Sequence, residues 1–284
     1  MNPRASHTAF DTSHPAVPAL YLGVTLALTM FSMQPVLIGI SLAAGFLYGC
    51  CVRGWRTCLL SLRWQLPVIL VIALLNPLFS ASGSTELFRM GGRAVYLESL
   101  CFGAAMGGLF MASLLWFQAG SSLLSFDKVM ALFGNVAPVI ALMISMSMRL
   151  IPRFLRQGRT VAAVQGVVRT SEAVRARLRL SSVLMGWAME DSLETADAMR
   201  ARGWGAASQR TTYTRFRFTG VDAGAMAALL AGGVLCSVLA WAATSQYAFY
   251  PMMSTLVVWW GYVPYAVWML VPTLLHVYEG RRFA

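Results

Sequence analysis

Ala16 to Val52 reads AVPALYLGVTLALTMFSMQPVLIGISLAAGFLYGCCV, thirty-seven residues without a charged side chain. A helix needs about 20 apolar residues to cross the hydrocarbon of a bilayer, so this run holds two crossings. Ser32-Met33-Gln34-Pro35 is the natural turn between them. Pro35 suits the first turn of a helix, where its missing N–H has no partner to lose. The rest of the chain agrees: of 284 residues, 58% are hydrophobic and 12% charged, against about 25% charged in a soluble domain. The fold class is all-α, a polytopic membrane protein.

Six segments read as spans: about 16–33, 34–52, 64–80, 99–119, 223–244 and 252–277. They divide the chain into an N-terminal tail (1–15), a four-helix membrane region (16–130), a largely cytoplasmic region (131–217) and a two-helix membrane region (218–284). The tail has no short apolar core with a small-residue cleavage site, so it reads as a cytoplasmic tail and not as a signal peptide.

A seventh segment, Ala131 to Met148, is apolar but poor in bulky aliphatics, and charge decides whether it crosses. The net charge is +11, and 21 of the 22 basic residues are arginine. The loop holding Arg53, Arg56 and Arg63 should lie inside, because arginine-rich loops stay cytoplasmic. Counting onward places Lys128 inside as well. A crossing at 131–148 would put the 13 arginines and five acids of Arg149–Arg217 outside. The expectation is therefore six spans with both termini cytoplasmic. The rival is that 131–148 crosses and a weak segment such as 16–33 does not.

Several function classes are disfavoured. No ionisable residue sits in the middle of a span, which argues against a pump or secondary transporter. Cys50, Cys51, Cys58, Cys101 and Cys236 form no CxxC pair and no ligand cluster with His7, His14 or His276, so no metal, cofactor or disulfide is expected. Neither paired acids nor a histidine cluster suggests catalysis, and no Walker A loop is present. The positive balance follows from membrane topology, without a nucleic-acid partner.

The region 149–217 is the only sizeable polar one. Arg149, Arg153 and Arg156 share one helical face, opposite Leu150, Ile151, Phe154 and Leu155. Such a helix either lies on the membrane surface or continues the preceding helix into solvent. A second helix, about Ser181 to Arg202, carries a stripe of Leu184, Ala188, Ser192, Ala196, Met199 and Gly203. Small residues there allow close approach of another helix. Glu190, Glu194 and Asp197 lie on a different face, and Asp191 adds a fourth acid. Gly203 or Gly205 could be a left-handed residue ending the helix, with Arg200 and Arg202 complementing its dipole.

Ala201-Arg202-Gly203, preceded by Ala196-Asp197-Ala198-Met199 and followed by Trp204, resembles the second coupling motif of the T component of energy-coupling factor (ECF) transporters, the CbiQ-like family. Ser147-Met148-Arg149-Leu150-Ile151-Pro152 is similar to the element that opens that family's first coupling helix. In the first motif itself the chain departs from the pattern, with Val164-Gln165-Gly166 in place of Ala-Arg-Gly. The resemblance implies a coupling subunit of an ABC-type importer of vitamins or metal ions such as cobalt, in a bacterial or archaeal inner membrane. Its partners would be two ATPase subunits, which hydrolyse the ATP, and a small substrate-binding membrane subunit. It assigns the ATPase contacts to Ala201, Arg202, Gly203, Val164, Gln165 and Gly166, supported by Arg149, Pro152, Glu194, Asp197 and Met199. It also implies asymmetry, because Gln165 lacks the charge-assisted component of an arginine hydrogen bond. The alternatives are a non-transport scaffold and a homo-oligomeric channel.

Overall fold

A computed structural model describes residues 13–79, 84–90, 93–164, 173–206, 218–250, 254–255 and 259–282. The charge-free run forms α1 (Ala16–Phe31) and α2 (Pro35–Arg53), with Pro35 in the first turn of α2. There follow α3 (Trp55–Phe79), strands β1 (Glu86–Met90) and β2 (Arg93–Tyr96), α4 (Leu97–Leu123), α5 (Phe126–Val136), α6 (Pro138–Val164), α7 (Ala173–Ala201), α8 (Gly220–Ser245) and α9 (Tyr262–Arg282). Among the described residues α2, α3, α4, α6 and α8 are long and apolar enough to cross a membrane, and α1 is a shorter apolar helix. The protein is an all-α, multi-pass membrane protein with one small antiparallel hairpin, in which Arg89 pairs with Ala94.

Three boundaries differ from the sequence expectation, and one left open is decided. The expected arginine loop between the second and third spans is a one-residue turn at Gly54, whose φ of 83° favours glycine. Arg56 and Arg63 are instead exposed positions on α3. Of the two readings left open for the basic helix, its continuity with the preceding helix is found: α6 runs unbroken from Pro138 to Val164, with Pro152 inside it. A proline there deprives the Met148 carbonyl of its helical donor, but Pro152 is exposed, so that carbonyl can be hydrated. The second basic helix begins at Ala173, ahead of Ser181. The last helix starts at Tyr262, which leaves Trp259 and Trp260 before it.

The chain separates into two compact units, Met1–Val129 with Phe216–Ala284, and Met130–Arg215. The first is a bundle of α1–α4, α8 and α9 around Tyr21, Leu37, Tyr48, Trp116, Leu123, Tyr265 and Met269, all essentially buried. Glycines set the tightest approaches. A Cβ on Gly103 would come within 2.9 Å of the Ala73 carbonyl oxygen, and one on Gly120 within 2.6 Å of Leu22. Small residues permit this spacing where apolar helices meet in a bilayer.

A polar seam threads the core. Trp116 Nε1 donates to Ser41 Oγ at 3.0 Å, and Ser41 Oγ lies 3.1 Å from Thr29 Oγ1. Trp268 Nε1 donates to Thr25 Oγ1 at 3.0 Å, and Tyr21 donates to the Trp268 carbonyl at 2.9 Å. Four helices, α1, α2, α4 and α9, are thereby fixed in register. A buried donor stripped of its acceptor costs about 1–3 kcal/mol.

Contacts within the bundle also show which helix ends lie together. The Asp222 carboxylate at the start of α8 accepts from the His14 N–H ahead of α1 at 3.0 Å. The first half of α1 packs on the last turn of α4, through Leu22 on Gly120 and Tyr21 edge-on to Trp116. Arg53, ending α2, donates to Gln118 Oε1 at 2.7 Å and to the Gln118 carbonyl near the end of α4. The chain therefore leaves the bundle after Leu123 and re-enters it at Gly220 at the same end.

In the second unit α6 and α7 meet antiparallel. Phe154 stands edge-on to Trp187 with centroids 5.4 Å apart, and Gly158 faces Leu184. Arg153 Nη1 lies 3.0 Å from both Asp191 carboxylate oxygens.

Candidate functional site

Ala201 is the last residue of α7, and the Arg202-Gly203 that follows it builds the helix stop. The Gly203 N–H donates to the Arg200 carbonyl at 2.9 Å, and the Trp204 N–H reaches back to the Met199 carbonyl at 3.0 Å. Gly203 has φ of +81°. These two bonds with a left-handed glycine are a Schellman stop, which satisfies carbonyls the helix end would otherwise leave open. Gly205 (φ +84°) continues the turn, and the Ala206 N–H donates to the Gly203 carbonyl at 3.1 Å.

This stop fixes how the motif is presented. Ala201, Arg202, Gly203 and Trp204 are all exposed, and Met199 is half-buried. Arg202 sits at the capping position, next to a residue with no side chain, so its guanidinium can approach a carboxylate or a row of carbonyls closely. Arginine presents a planar fork of donors suited to such acceptors. Glu194 and Asp197 are exposed one to two turns upstream. Asp197 lies 3.9 Å from Arg200, both about four-fifths exposed, a pair worth at most about 1 kcal/mol. These acids stay available to a partner.

The other candidate residues fall elsewhere. Arg149 and Pro152 are exposed on α6. Val164 is the last residue of α6, and Gln165 and Gly166 lie outside the described residues. The structure thus brings together Ala201, Arg202 and Gly203 with Asp197 and Met199, and it separates Arg149 and Pro152 from them along another helix.

Two readings of α7 change. Its small-residue stripe is only partly used: Leu184 meets Gly158, whereas Ser192 and Ala196 are exposed. The contact face is Leu184, Trp187 and Asp191. Asp191 does not join the other acids in solvent but turns to Arg153, with its side chain 18% exposed. The signal was present as spacing, since 184, 187 and 191 share a helical face. Their partners on α6 lie far away in sequence, so the stripe alone gave no reason to prefer them.

A second polar centre, in the bundle, was also missed. Thr219 and Asp222 form a capping box at the start of α8. The Asp222 carboxylate accepts from the Thr219 N–H at 3.0 Å, the Thr219 hydroxyl at 2.6 Å and the His14 N–H. His14 Nδ1 in turn accepts from the Ala16 N–H at 3.2 Å. One carboxylate therefore serves the starts of two helices. The spacing Thr219-x-x-Asp222 is the legible part; its joining to His14 is not.

A cleft of about 360 Å³ opens between α1 and α8, and its polar lining is Ser32, Ser237 and Thr244. Among the described residues no group of three or more His, Cys, Asp and Glu side chains is placed to hold a metal ion. No protein-family model matches the chain, and no curated protein matches it.

Proposed function

We propose that the chain is the membrane coupling subunit of an ABC-type importer of the energy-coupling factor kind. Its insert would take up motion from two ATPase subunits and pass it to a small substrate-binding membrane subunit that carries a vitamin or a metal ion. The observation that carries this reading is the end of α7, where Arg202 is exposed at a Schellman stop, near the exposed acids Glu194 and Asp197, on a helix pair that interrupts the sequence of a membrane bundle. An exposed arginine on a fixed helix end is what a grooved partner can grip and push.

In this reading the face that carries the insert is cytoplasmic, as the arginine content of 149–217 favours, and both termini lie there too. ATP-driven closure of the partner ATPases displaces the end of α7. The displacement travels along α7 to its contact with α6 at Phe154, Gly158 and Arg153. Val164-Gln165-Gly166 would form the weaker second attachment, with a neutral amide in place of a guanidinium.

The test is Arg202→Glu in cells that depend on the imported solute. Uptake and ATPase retention should both be lost, while the variant remains in the membrane at normal abundance. Normal uptake by that variant would refute the assignment. Gln165→Arg should retain or tighten ATPase binding. ATPase-free protein from wild-type cells, with an unrelated cytoplasmic protein bound, would instead favour a scaffold.

A further inference from the structure

The insert leaves and re-enters the bundle at the same end, so it crosses the membrane an even number of times. α6 is apolar enough to cross, but a crossing by α6 alone would break that parity. α7 cannot supply the return, because its 29 residues include Arg175, Arg177, Arg179, Glu190, Asp191, Glu194, Asp197 and Arg200. α5 has 11 residues, the sequence 165–172 has eight, and 202–219 carries Arg202, Arg210, Arg215 and Arg217, so none offers the roughly 20 apolar residues that a helical crossing needs. α6 therefore has the hydropathy of a span and no means to be one.

From Met148 onward its side chains are sorted by face, while before that the helix is uncharged all round, with Val139 and Met143 also exposed. Ile140, Ile144, Met148, Ile151 and Leu155 follow spacings of four, four, three and four and are 37–60% exposed. Arg149 and Arg156 lie on the opposite side of the helix and are exposed. α7 covers the apolar face only around Phe154 and Gly158.

We propose that α6 lies in the interface of an anionic bilayer, with Ile140–Ile151 among the acyl chains and Arg149 and Arg156 at the level of the lipid phosphates. A basic amphipathic helix binds in this way through apolar burial plus attraction to anionic lipid. Lipid charge would then set how firmly the insert is held to the membrane surface. The proposal does not depend on the identity of any protein partner.

The experiment is hydrogen exchange on the full chain, with no other protein present, in nanodiscs of phosphatidylcholine or of phosphatidylcholine mixed with phosphatidylglycerol. Amides of 140–156 should exchange more slowly in the anionic discs. The double variant Arg149→Gln, Arg156→Gln should lose about thirtyfold of that protection, from about fivefold per basic residue near an anionic surface. Protection of α1, α2 and α4 should not change in the variant, which separates lost docking from misfolding. Equal exchange in the two lipids overturns the proposal. So does protection that appears only when a partner protein is added.

Discussion

The bundle and the insert are both built from apolar helices, yet the bundle gathers some of them around a buried core while its α3 and α8 stay largely open, with 11% and 17% of their most apolar stretches buried. In α4 the most apolar stretch is 39% buried residues, and in α6 none is buried. The bundle joins its helices by glycine contacts and a seam of shared hydroxyls and indoles. The insert joins its two long helices at one crossing, through Phe154, Trp187, Gly158, Leu184 and the Arg153–Asp191 pair. Several helices meeting at glycines and shared hydroxyls can enclose a core, whereas one crossing of two helices leaves most of each apolar face uncovered.

That contrast can be broken by substitution, and the bundle should respond most. Trp116→Ala removes a fully buried aromatic and its bond to Ser41, which should cost about 3–5 kcal/mol. It should appear as a large drop in the SDS mole fraction that unfolds the protein in mixed micelles. An unchanged midpoint would mean the core is not packed as described. Thr25→Val leaves the Trp268 indole without its acceptor and should cost about 1–3 kcal/mol by the same titration.

Substitutions in the insert should be milder. Gly203→Ala forces a Cβ into a left-handed residue at the end of α7, at about 1–2 kcal/mol locally. Faster hydrogen exchange in the last turn of α7, with no change in the bundle, is the expected signature. The smallest effect is expected at Arg153–Asp191. A double-mutant cycle to alanine should give a coupling below about 1 kcal/mol, since Arg153 is half exposed. A value several times larger would show that the α6–α7 crossing is sealed from water.

The membrane class and the first turn were legible because they rest on composition and on Pro35. The end of α7 was legible too, as glycine and arginine at a helix terminus have local physical meanings. What could not be read depends on distant partners. Nothing around Thr25 indicates that Trp268 will donate to it, and nothing around His14 indicates Asp222. The start of α3 was misplaced because arginines were taken to mark a loop, whereas Arg56 and Arg63 ride on the exposed side of a helix. The continuity of α6 through Met148 and Pro152 was one of two readings the sequence left open, and it holds because an exposed proline can remain inside a helix when the orphaned carbonyl is hydrated.

The central claim is that the exposed end of α7 is where ATPases attach. Its most direct test is affinity purification of the full chain from its native host in mild detergent, with mass spectrometry of everything retained, for wild type and Arg202→Glu in parallel. Two nucleotide-binding subunits and a small hydrophobic protein should accompany the wild type, and the ATPases should be missing from the variant. Wild-type protein recovered alone and self-associated would contradict the claim and leave Arg202 as no more than the cap of its helix.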